Sequence, residues 1–138
     1  MLSTKYCPWN HATLAYGNGE TVLLIERNKA LLALGKNVLE KLNYHVLTAP
    51  GHQELSSRID LSQQQIDLLI LDGSAPIRES REIVQQVRAH RPEAKTLFSS
   101  VYDSQLETEC GKKIAKERII NKPFRIDDFS RIVHQTLQ

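Results

Sequence analysis

A small set of positions in this 138-residue chain carries groups able to do chemistry, each just after an aliphatic run. Asp72 ends the run Ile66-Asp67-Leu68-Leu69-Ile70-Leu71 and is followed by Gly73, Ser74 and Pro76. Glu26 and Arg27 follow Thr21-Val22-Leu23-Leu24-Ile25, Ser100 ends Lys95-Thr96-Leu97-Phe98-Ser99, and Lys122 follows Arg118-Ile119-Ile120-Asn121. A carboxylate can be a covalent nucleophile or a ligand for a hard cation, and lysine supplies a compact positive charge. These types acquire meaning if the chain brings them to one place.

Short aliphatic runs closed by polar or turn residues read as strands buried on both faces. Thr21–Ile25, His45–Ala49, Ile66–Asp72, Lys95–Ser100 and Arg118–Asn121 fit that description. Helical patterns lie between and after them. Asn28 is a candidate N-cap for a helix whose apolar stripe is Leu31, Leu34, Val38, Leu39 and Leu42, stopped by Asn43. Leu55 and Ile59 suggest a short second helix. Ile83, Val84 and Val87 mark a third, with Arg88, His90 and Arg91 near its end and Pro92 beyond. Asp103 to Gly111 is a weak fourth, and Phe129, Ile132, Val133 and Leu137 form the stripe of the last, with Asp127 and Asp128 at its start.

Alternation of this kind predicts a flavodoxin-like, doubly wound α/β fold. Its five-stranded parallel sheet has order 2-1-3-4-5 and helices on both faces. Ligands of such sheets gather at the carboxyl ends of the strands, where Glu26, Arg27, Asp72, Ser100 and Lys122 would all lie. Residues 1–19, with Gly17-Asn18-Gly19 as a turn, read as an N-terminal tail or linker, and residues 20–138 as one folded domain.

The bounds agree. Lys and Arg total 18 against 16 Asp and Glu, a formal charge of +2, which points to neither a nucleic-acid nor a membrane partner. Cys7 and Cys110 have no disulfide or zinc spacing, Cys7 and His11 lack a second ligand pair, and the first twenty residues do not resemble a signal peptide. A cytoplasmic location is expected. Gly35-Lys36 is not a P-loop, and a dehalogenase-type phosphatase would need an acid where Ser74 stands.

The set at the strand ends resembles the receiver domain of bacterial two-component response regulators, over Glu20 to Gln138. It is most similar to receivers of hybrid sensor histidine kinases, through Gly19-Glu20-Thr21-Val22-Leu23-Leu24, Ala89-His90-Arg91-Pro92, Leu97-Phe98-Ser99-Ser100-Val101-Tyr102 and Lys122-Pro123-Phe124. The resemblance implies a CheY-like phosphorelay component in which Asp72 accepts a phosphoryl group from a phosphohistidine, Lys122 pairs with that group, and Ser100 is the hydroxyl that reports it. A histidine kinase or phosphotransfer protein is the implied partner. It also implies a docking or homodimer face built from the fourth helix, the fifth strand and the last helix, and no catalytic domain of its own.

Several residues depart from the family pattern. Two adjacent acids are expected after the first strand, the second a direct magnesium ligand, and here the pair is Glu26-Arg27. Glu26, Arg27, Asp72 and Lys122 sum to zero charge. Arg27 is therefore expected to take the metal's place and pair with Asp72, leaving magnesium weakly bound or absent; if it binds, Glu26, Asp72 and Ser74 would surround it. Ile119 stands where an aromatic switch residue is expected, and Ile77 and Ser80 where the loop after Pro76 has glycines. Two functions follow as expectations: a phosphoacceptor with impaired magnesium dependence, or a phosphorylation-independent pseudo-receiver acting as a protein-protein interaction module.

Overall fold

A computed structural model describes residues 14–73, 76–100, 118–121 and 125–138, with the backbone alone for 100 and 118–121. The expected helix over Asp103–Gly111, Cys7, Cys110, Ser74 and Lys122-Pro123-Phe124 lie outside the described residues. The elements run β1 (Thr21–Ile25), α1 (Lys29–Lys41), β2 (His45–Ala49), α2 (His52–Arg58), β3 (Leu68–Asp72), α3 (Ile77–His90), β4 (Lys95–Ser100), β5 (Arg118–Asn121) and α4 (Ile126–Leu137). All strand pairs are parallel, in the order β2-β1-β3-β4-β5. The predicted sheet order is the one observed.

Alternation along the strands divides the core in two. Leu23, Ile25, Leu69 and Leu71 pack with Leu55 of α2 and with Ile83 and Val87 of α3. Val22, Leu24, Leu68 and Ile70 pack on the other face with Leu39 of α1 and with Phe129 and Val133 of α4. Successive side chains of a strand point to opposite faces, so a central strand covered on both sides must be apolar at every position. β3 is buried throughout.

The start of α1 corrects the expected stripe. Asn28 caps the helix, its Oδ1 accepting the Leu31 N–H at 3.1 Å. Leu31 and Leu34, however, are 42% and 58% exposed, while Leu32, Val38, Leu39 and Leu42 face the core. In Leu31-Leu32-Ala33-Leu34 several apolar residues compete for one stripe, and the sheet selects the phase of Leu32, Leu39 and Leu42. Gly35 lies where the helix crosses the sheet closely, since a Cβ there would come within 2.8 Å of Leu24 Cδ2.

Residues 14–19 lie against the amino-terminal edge of the sheet. Gly17 N–H donates to Leu42 O at 2.7 Å, Gly19 N–H to Asn43 O at 2.9 Å, and Ala15 N–H to Ser130 Oγ of α4 at 3.1 Å. Asn43 ends α1 in the left-handed region at φ 76° and donates its Nδ2 to Gly17 O at 2.7 Å. The Tyr44 ring lies on Gly17 so closely that a Cβ at 17 would stand 2.2 Å from Cε1.

Candidate functional site

The site begins with strand register. Ile25 is level with Leu71 in the β1–β3 ladder, so the next residues, Glu26 and Asp72, stand side by side at the carboxyl edge. Ser99 is level with Asp72 on its other side. Both acids are 6% exposed. Glu26 is fixed twice: its N–H donates to Ala49 O at 3.2 Å, and its carboxylate accepts the Asn28 N–H at 3.2 Å. Ser100 follows Ser99, with its backbone level with Asn121 of β5. Lys122 comes next in sequence and lies outside the described residues.

Arg27 takes a partner other than these acids. Leu24 and Ile70 belong to the core under α1 and α4, so two residues on, Glu26 and Asp72 continue toward that side. Arg27 lies past the end of β1, in the bend before α1, on the side of α3. There its guanidinium forms an ion pair with Glu79 in the first turn of α3. The expected pair with Asp72 is thereby corrected: the guanidinium engages Glu79 instead.

Glu79 is doubly engaged. Its Oε2 accepts from Arg27 and its Oε1 accepts the His52 N–H at 3.1 Å. His52 opens α2, whose preceding Gly51 supplies no side-chain cap, so a carboxylate from α3 meets an N–H that the short helix leaves over. Burial pushes the Glu79 carboxyl upward, but the His52 N–H and the Arg27 guanidinium outweigh it and hold the pKa below its ordinary range. A recess of about 10 Å³, on the scale of one water, is lined in part by Arg27, Gly51, Asp72 and Glu79. Arg27 and Asp72 thus border one space without sharing an ion pair.

Glu26 and Asp72 are the two carboxylates this edge would offer a magnesium ion. Such an ion takes oxygen ligands, and the third acid that would complete the set is a permanent cation bordering the same recess as Asp72. Among the described residues no three His, Cys, Asp or Glu side chains converge into a metal-binding group. The structure therefore brings together Glu26, Asp72 and the backbone of Ser100, and sets Arg27 at their margin. Sequence reasoning missed Glu79 and His52. The signal was available in part, since replacing loop glycines with Ile77 and Ser80 lets α3 begin directly after Pro76 and puts Glu79 in its first turn.

Comparison with known proteins agrees with this architecture. A model of the response regulator receiver domain matches residues 22–134. The nisin biosynthesis regulatory protein NisR of Lactococcus lactis is 30% identical over 106 residues, 76% of this chain and 44% of NisR, so the chain spans less than half of that relative. Chemotaxis protein CheY4 of Vibrio cholerae superposes with a TM-score of 0.72 at 19% identity, covering 86% of this chain and 99% of that one. A response regulator from Thermotoga maritima gives 0.68 at 26% identity, covering 87% and 98%. Among the described residues no helix is long and apolar enough to cross a membrane. With the sheet order, the strand-end acids and the match over residues 22–134 in agreement, the chain belongs to the response regulator receiver domain family of two-component signalling.

Proposed function

We propose that Asp72 is the phosphoacceptor of this receiver and takes its phosphoryl group from a phosphohistidine on a histidine kinase or phosphotransfer protein. In that step a carboxylate oxygen forms a bond to phosphorus while the P–N bond breaks, and the electron pair returns to the imidazole. The chain's task is to position the acceptor and to balance the charge on the phosphoryl oxygens. Lys122 serves as charge partner and Ser100 as the responding hydroxyl. Magnesium dependence is impaired because Arg27 replaces an acid.

The observation that supports this reading is the strand register, which sets Asp72 beside Glu26, both buried, at the carboxyl edge of the sheet. The pseudo-receiver reading draws on Arg27, whose replacement of an acid weakens the site for a cation. The two separate on exposure of the chain to beryllium fluoride and magnesium, with backbone amide shifts followed at Asp72 and its neighbours. Saturable shifts that vanish in Asp72→Asn are expected. Their absence in a folded protein would leave an interaction module that does not signal through Asp72.

A further inference from the structure

We infer that Arg27 is a built-in counter-charge for an anion on Asp72, stored on Glu79 and passed to the phosphoryl group when it forms. This rests on the reading of Asp72 as acceptor, and it assigns a cation source to a pocket where an arginine borders the same recess as the acceptor.

Four features carry it. Arg27 and Asp72 border one recess, so the guanidinium travels only across that space. Gly51 lies beside the stored pair, where a Cβ would stand 3.1 Å from Glu79 Oε1, 3.3 Å from Glu54 Oε1 and 3.7 Å from Arg27 Nη2, so the glycine leaves room for the pair. The Arg27 side chain is 56% exposed against 17% for Glu79, and an ion pair with one solvated partner is a weak hold. Glu79 keeps the His52 N–H after Arg27 leaves, so the exchange strands no buried charge without a donor.

The destination is the stronger one. Arginine matches phosphoryl oxygens with parallel N–H donors, and a phosphoryl group on Asp72 presents more negative charge than one carboxylate. Glu79 then serves as a storage site, competing with the anion for Arg27. Its loss frees the cation.

The test uses the full chain and phosphoramidate, a small P–N phosphodonor, in excess chelator or in magnesium, with the phosphorylated fraction followed by intact mass. Wild type is expected to be modified at Asp72 at a rate that the chelator does not change. Arg27→Ala is expected to slow modification about tenfold, the loss of one charge-assisted contact, and Glu79→Gln to speed it. An absolute magnesium requirement, or Arg27→Ala reacting as fast as wild type, would overturn the inference and leave Asp72 as acceptor. No modification of folded wild type under either condition would overturn the acceptor reading and this inference together. Glu79→Gln leaves both Arg27 and Asp72 in place, so its failure to accelerate counts against storage even if Arg27→Ala proves unstable.

Discussion

Glu79 of α3 accepts the backbone N–H of His52, the first residue of α2, at 3.1 Å, and so ties two helices on one face of the sheet through a single carboxylate oxygen. Its other oxygen holds Arg27. The folded pKa is lowered from 4.5, so the stabilising contribution is fully present above that value and is lost as pH falls through the lower folded value. Acid titration of stability should show this loss below about pH 4.5 in wild type. Glu79→Gln should flatten that part of the curve and cost less than about 1 kcal/mol at neutral pH. Unfolding midpoints across the acid range check both.

The phase of α1 makes a sharper contrast. Leu34 is exposed and Leu39 is fully buried, although both fall on a helical stripe in the sequence. Leu34→Lys should change stability by no more than about 0.5 kcal/mol, whereas Leu39→Ala should cost about 2–5 kcal/mol. Denaturant unfolding of the pair is enough, and equal costs would mean that the stripe lies the other way.

Gly17 is required for space. A Cβ there meets the buried Tyr44 ring, which has no free volume to retreat into. Gly17→Ala should destabilise by about 1–3 kcal/mol and should lower the exchange protection of the Ala15 and Gly19 amides.

Asn43 separates two contributions. Asn43→Gly loses the bond to Gly17 O, a cost of about 0.5–1.5 kcal/mol, partly offset because glycine has no Cβ to strain the left-handed backbone. Asn43→Ala loses the same bond while keeping a Cβ there without the polar side chain that suits asparagine to that conformation, and should cost about 1 kcal/mol more than Asn43→Gly. The order of the two midpoints is the readout.

Tyr44 tests a buried hydroxyl. Its Oη finds no hydrogen-bond partner among the described residues, and burial, with the Glu20 charge adding to it, pushes the phenol from 10.0 up to about 12. The neutral ring in the folded state contributes stability below pH 10, and this is lost as pH rises toward 12. Tyr44→Phe should remove that alkaline slope and raise stability at neutral pH by about 1 kcal/mol.

The fold was legible because each buried strand announces itself as an aliphatic run with a polar end. Thr21–Ile25, His45–Ala49, Lys95–Ser100 and Arg118–Asn121 have the bounds expected of them. The placement of Glu26 and Asp72 at one edge follows from the same reasoning. What was not legible is sidedness. A strand apolar at every position bears no mark of which residues face which helices, and nothing in Leu23-Leu24-Ile25-Glu26-Arg27 named Glu79 of a distant helix as the arginine's partner. Two elements settle it, the β1–β3 register and the helices above each face, and both are properties of distant segments. Leu31 and Leu34 were misassigned for a related reason: a leucine-rich turn fits more than one helical phase, and packing chooses among them.

The position of Arg27, two residues past the end of β1, also means that the pocket's electrostatics depend on a count of peptide units as much as on which residues are present. Removing a single residue between Ile25 and Arg27 would do more than delete an acid. It would draw Arg27 one position nearer the end of β1 and change which of Glu79 and Asp72 its guanidinium can reach.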